Sequence, residues 1–243
     1  SPFGARCRPR GRALFLGMPL SPGVHFLAPT IPLHVFEADE PGPTALIQAG
    51  IHGDEIAGVH ALEELLEEGI RPERGRLLIC PRMNPAAYRE RKRAREGGLD
   101  LNRCFPGDPD APEFERRLAH RFMQLVLDER PALVATLHES WKRYDPNVTP
   151  SFGQTLVYGV EQVPGLVRDV VDQMNTSKKS EDEWWATLYY PVATSSTEVI
   201  VDAIGCIGVC VETWMGFEEK RRIEMQKEVT LRMLDHLGVR RFG

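Results

Sequence analysis

Alternation is the feature that most narrows what this chain can fold into. Short apolar runs at Thr44–Ala49, Arg76–Cys80, 133–137 and 207–211 recur along it, separated by stretches with apolar residues every third or fourth position. Runs of five or six apolar residues suit a buried strand and are too short for a core helix. In 54–68, Ile56, Val59, Leu62, Leu65 and Leu66 share one helical face, and Gly69 and Pro72 then stop the helix. A second amphipathic helix is predicted over 113–129, with Pro112 pre-set before it, and two more over 165–174 and 218–237. Further strands are expected at 31–36 and 155–160, and the polar stretches 81–112 and 175–197 read as long loops. Strands apolar on both faces and joined through helices predict an α/β fold, with helices on both faces of a mixed, mainly parallel sheet. The 243 residues carry no internal repeat and no linker, so a single domain over 1–243 is expected, with 1–40 as an N-terminal extension and edge strand.

Composition excludes more than it assigns. A formal net charge of −5 argues against nucleic acid as a partner. No apolar run approaches the roughly 18 residues that a membrane-spanning helix needs. Arg6, Arg8, Arg10 and Arg12 precede only the short patch Ala13, Leu14, Phe15 and Leu16, too little for a secretory signal. The five cysteines are odd in number and scattered. Cys206 and Cys210 would share one face of a strand and are expected in the core, which fits a reducing, cytoplasmic setting. Nothing in the sequence sets an oligomeric state.

Against this background four polar residues stand at the ends of strands. His52 and Glu55 follow the run at Thr44–Ala49, His138 follows 133–137, and Glu212 follows 207–211. Ligands of open α/β sheets gather at the carboxyl ends of strands. Singly, each residue has an ordinary explanation as a helix-end charge, a loop histidine or a turn cap. Together they offer a His₂Glu set, the number and kind of donors that hold a catalytic zinc with one position open. Glu212 is then the candidate general base.

The stretch Asp100-Leu101-Asn102-Arg103-Cys104-Phe105-Pro106 supplies a further pattern. With His52-x-x-Glu55 before it, and His138 and Glu212 after it, the order resembles the zinc carboxypeptidase superfamily from about Gly50 to Glu212. That superfamily holds metallocarboxypeptidases and murein peptide amidases, and also the aspartoacylase and succinylglutamate desuccinylase branch. The resemblance implies one zinc ion per chain on His52, Glu55 and His138, with Glu212 as catalytic carboxylate. It implies that Asn102 and Arg103 hold a substrate carboxylate, as a guanidinium fork suits. It also implies an arginine that steadies the oxyanion. The first branch places that arginine nine positions before the asparagine, at Arg93, and the second seven before, at Arg95; Arg93 is favoured.

The same resemblance frames the activity. The first expectation is a metallocarboxypeptidase-like hydrolase of short peptides, cutting beside a residue with a free carboxylate. The alternative is a deacylase of N-acyl amino acids, towards which Asn84-Pro85-Ala86 and Phe105-Pro106-Gly107 point. Deacylases of that branch usually carry a β-rich C-terminal domain, whereas this chain stops six residues after Leu237, which favours the first expectation. A third possibility, an inactive zinc-containing peptide binder, has no need of Glu212 or of the Asn102–Arg103 pair. The loops around Trp141 and Phe152, and around Trp184, Trp185, Tyr189 and Tyr190, are the expected seats of specificity, with Trp214 a candidate contact.

Overall fold

The computed structural model describes residues 17–177 and 180–240. The patch at 13–16 and its neighbouring arginines therefore lie outside the described residues. Among these residues eight strands form one sheet: β1 Gly23–Ala28, β2 Ile31–Glu37, β3 Thr44–Ala49, β4 Arg76–Cys80, β5 Leu133–Ser140, β6 Thr155–Tyr158, β7 Ala186–Tyr189 and β8 Ile207–Trp214. Their order across the sheet is β1-β2-β4-β3-β5-β8-β6-β7. The central four, β4-β3-β5-β8, are mutually parallel; β1, β2 and β4 pair antiparallel, as do β6 and β8. This is the mixed, mainly parallel α/β sheet that the alternation predicts.

Among the described residues six helices cover it: α1 Ala57–Glu67, α2 Pro85–Glu90, α3 Phe114–Glu129, α4 Gly165–Thr176, α5 Ser196–Ile204 and α6 Glu219–Leu237. The period of two along a strand sorts the core into two layers. On β3, Ala45, Ile47 and Ala49 face Val59 and Leu62 of α1 and Met225, Val229 and Met233 of α6. Leu46 faces the other way, towards Leu118, Phe122 and Leu125 of α3 and Ile200 of α5. Helices therefore lie on both faces, and β3 and β5 are buried on each.

The structure departs from the sequence expectations mainly in the loops. The segment 175–197 contains β7 and leads directly into α5. The short edge strand ATLY has too little periodicity to register, and the β-branched residues of α5 weaken its helical signal. One signal was present: Ser195 and Glu198 have capping-box spacing, and the Ser195 hydroxyl accepts from the Glu198 N–H at 3.2 Å. The segment 81–112 likewise contains α2, capped by Asn84, whose side chain accepts from the Ala87 N–H. Trp185 is buried in the core and Trp214 packs on Phe217, so neither aromatic meets the expectation of a cavity contact.

Candidate metal centre

The turn between β3 and α1 carries His52 and Glu55, and its shape depends on Gly53. A Cβ at that position would lie 2.0 Å from the backbone carbon of Ala87, so α2 can sit against the turn only over a glycine. His138 and Glu212 lie inside β5 and β8 rather than at their ends, and they are direct partners in the parallel register. Neighbouring strands are about 5 Å apart, so the sheet itself sets these two side chains side by side.

His52, Glu55 and His138 bring one donor atom each to within 4.8 Å of one another, and all three are buried. Glu55 Oε1 accepts from His52 Nδ1 at 2.7 Å, and Glu55 Oε2 accepts from His138 Nδ1 at 2.7 Å. The Glu139 N–H adds a bond to Oε2 at 3.2 Å. Behind His52, Asp100 Oδ1 accepts from Nε2 at 3.1 Å and from the Asn102 N–H at 2.9 Å. A carboxylate behind a histidine is the support that metal-ligating imidazoles ordinarily have.

The electrostatics favour positive charge at this point. Burial opposes protonation of His52 and His138, but Glu55, joined by Asp100 at His52 and by Cys210 and Glu212 at His138, outweighs it and both imidazoles are raised. Burial likewise opposes charge on Glu55, and the two imidazoles hold it far below the usual carboxylate range. Two protonated imidazoles place two positive charges against Glu55; a divalent cation does the same with a single ion. The donor set therefore fits zinc. Glu212 responds in the opposite direction: burial, with Glu55 adding to it and His138 opposing, pushes its carboxyl up to about 7. A carboxyl poised there suits proton transfer near neutral pH.

The site opens into a cavity of about 370 Å³. Asn102 and Arg103 line it from a short 3₁₀ turn, Leu101–Arg103, that Asp100 caps. Asn102 Oδ1 already accepts from the Ser196 N–H at 3.0 Å, so this amide has only its Nδ2 donor to offer a ligand. Arg103 is exposed to the cavity and donates to the Asn102 carbonyl at 3.0 Å. Arg93 also lines the cavity; its Nε donates to Asp100 at 2.9 Å and its guanidinium lies 3.9 Å from Glu55. Arg95 instead donates to the buried carboxylate of Glu115 at 2.6 Å and does not line the cavity. Of the two arginines, only Arg93 is brought to the site.

Sequence reasoning missed three neighbours. Cys210, expected in the core, lines the cavity, 3.1 Å from Thr197 Oγ1, and its thiol lies against His138. Cys206 does pack on the apolar layer. Glu198 lines the cavity from the first turn of α5. Glu139 is buried and accepts from the Ala57 N–H at 2.9 Å, from Thr213 Oγ1 at 3.2 Å and from Arg222. It thereby ties the N-terminus of α1 and the side of α6 to the strand that carries His138. Its alanine variant strands the Arg222 cation and the Ala57 N–H, and should lose on the order of 3 kcal/mol of stability. A urea melt would measure this; an unchanged midpoint would show that Glu139 is not the tie.

Fold and site together are similar to those of the zinc carboxypeptidase-like superfamily. Within it, residues 41–142 match the succinylglutamate desuccinylase/aspartoacylase catalytic domain. Over 118 residues the chain is 41% identical to the N-alpha-acetyl-L-2,4-diaminobutyric acid deacetylase of Halomonas elongata, covering 47% of this chain and 33% of that protein. The tripeptide-bound cell shape determinant Csd4 of Helicobacter pylori superimposes with a TM-score of 0.77 at 16% identity, over 87% of this chain and 56% of that one. A succinylglutamate desuccinylase/aspartoacylase from Rhodobacter sphaeroides gives a TM-score of 0.67 at 25% identity, over 87% and 60%. The chain thus spans a third of the curated relative and little more than half of these solved structures. Both branches of the superfamily are represented, and these relatives are hydrolases.

Proposed function

We propose that the chain is a zinc-dependent amidohydrolase that releases the acyl group of an N-acyl amino acid, docking the free carboxylate on Arg103 and Asn102. One observation carries this reading: His52, Glu55 and His138 meet at a single point, with Glu212 in register beside His138, on a cavity that also presents Arg103. The desuccinylase/aspartoacylase match and the deacetylase relative favour an N-acyl amino acid over a peptide. A cavity of about 370 Å³ is sized for a small substrate of that kind.

Zinc, when bound, supplies Lewis acidity, polarising a carbonyl and making water acidic near neutral pH. The protein's own groups do the rest. Glu212 takes a proton from the attacking water and returns it to the amide nitrogen as the C–N bond breaks, leaving a carboxylate and an amine. Arg93, held by Asp100, offers a permanent cation to the carbonyl oxygen as negative charge builds there. Asp100 serves twice, because the oxygen opposite Arg93 fixes the ring of His52. A cytoplasmic setting suits the chemistry, since Cys80, Cys104, Cys206 and Cys210 are all free thiols.

Cleavage of a short peptide beside its free carboxylate is the second reading. Trp141, 75% exposed at the cavity edge, offers a surface for a longer acyl part. A substrate panel with zinc supplied separates the two: N-acetyl and N-succinyl amino acids, their C-terminal amides, and short peptides with free or amidated ends. N-acyl amino acids should be hydrolysed, their amides at least about tenfold less efficiently, and Arg103→Met should erase that difference. Equal rates on acids and amides would exclude carboxylate docking on Arg103. Turnover of peptides alone would install the second reading.

A further inference from the structure

The cavity contains an acidic group that the hydrolytic chemistry leaves unused. Five carboxylates line it: Asp54, Glu55, Glu139, Glu198 and Glu212. Glu55 is held by the two histidines, Glu139 by Arg222, and Glu212 stands beside His138. Asp54 sits within the fields of His52 and Arg93. Glu198 differs from all of these, since no histidine or arginine acts on its carboxylate and its charged neighbour is Asp202. A Cβ on Gly159 would lie 1.9 Å from Glu198 Oε2, so the carboxylate lies directly against the backbone at that position. Tyr158, Tyr190 and Val192 line the same part of the cavity.

The placement is not that of a capping box. In a capping box the glutamate would turn back onto the N–H of the N-cap residue. Here the Ser195 N–H is given to the Val192 carbonyl at 2.9 Å, and the Glu198 carboxylate accepts from the Val192 backbone instead. Burial pushes the Glu198 carboxyl up, and nearby Asp202 adds to the effect. A carboxylate in that condition gains by meeting a cation.

We infer that Glu198, seated on Gly159, is a specificity-determining residue that receives a protonated amine on the substrate side chain. The substrate class becomes N-acyl amino acids whose side chains end in an ammonium group. Arg103 and Asn102 take the carboxylate, and Glu198 takes the opposite charge. Gly159 directly follows β6, whose Thr155 is the register partner of Glu212, and Gly159 and Glu198 line the same cavity as Glu212 and Arg103.

This inference rests on the N-acyl amino acid reading, so its test has a binding arm that does not need turnover. Zinc-loaded protein is assayed with Nα-acetyl diamino acids of two, three and four side-chain carbons, against Nα-acetyl norvaline and norleucine as neutral partners. The cationic series should be preferred, and Glu198→Gln should lower the cationic-to-neutral ratio of kcat/KM by about tenfold or more, mainly through KM. Glu198→Lys should turn the preference towards Nα-acetyl glutamate. Calorimetric titration of the same ligands should show the same lost preference in affinity. A parent enzyme that hydrolyses the neutral acyl amino acids equally well, with a ratio unmoved by Glu198→Gln, would overturn the inference and leave the general reading intact. Loss of activity on every substrate alike would assign Glu198 to ordering the Val192 loop and also overturn it. Absence of turnover on any N-acyl amino acid would sink the general reading, and calorimetry would then decide the ammonium site alone.

Discussion

The Glu212→Gln enzyme should retain its full complement of zinc and lose about 10²- to 10⁴-fold in kcat, the range a positioned acid–base group contributes. Glutamine keeps the size of the side chain and one carbonyl acceptor, so β8 and its pairing with β5 are undisturbed. It cannot accept and return a proton at neutral pH. Glu212 lies beside His138 without belonging to the cluster of converging donors, so metal content is the control. Retained zinc with retained turnover would remove Glu212 from the chemistry. Lost zinc would make it a ligand rather than a base.

Glu55→Gln should have the opposite signature, with the metal lost first and activity with it. Glu55 bridges both imidazoles through its two oxygens and is the one anionic donor of the set. Structural zinc sites with four ligands bind with about 10–16 kcal/mol, so one ligand carries about 3 kcal/mol, or about a hundredfold in affinity. An amide in its place also leaves two buried imidazoles without the charge that balances them. Dialysis against a weak chelator followed by elemental analysis reads the outcome. One zinc per chain surviving in the variant would rule out Glu55 as a ligand.

The central strands were legible in the sequence because being buried on both faces leaves a local, unbroken apolar run. Thr44–Ala49 and Arg76–Cys80 are strands over those very residues. The His52–Glu55–His138 cluster was legible for a different reason: histidine and glutamate beside such runs fall where an α/β sheet collects its ligands. What stayed hidden depends on partners distant in sequence. The burial of Glu139 makes sense only with Arg222, which lies 83 positions away. The choice between Arg93 and Arg95 turned on Glu115, a helix residue that claims Arg95. Glu198 lies on a helix that went unrecognised, and its significance needs Gly159 on another element. The branch was least legible, because the motifs are common to both: residues 41–142 match the desuccinylase/aspartoacylase catalytic domain, while the tripeptide-bound Csd4 has a similar fold.

The side-by-side placement of His138 and Glu212 on β5 and β8 also bears on how the molecule fails when warmed. Both strands lie in the interior of the sheet, so they open only when most of the domain opens. Glu198 stands instead on the first turn of a nine-residue helix, and Gly159 on the loop that leaves β6. Helix ends and loops come loose at lower free energy than interior strands. Discrimination between substrates should therefore blur at temperatures where the hydrolytic centre still holds together, and selectivity should decay before rate.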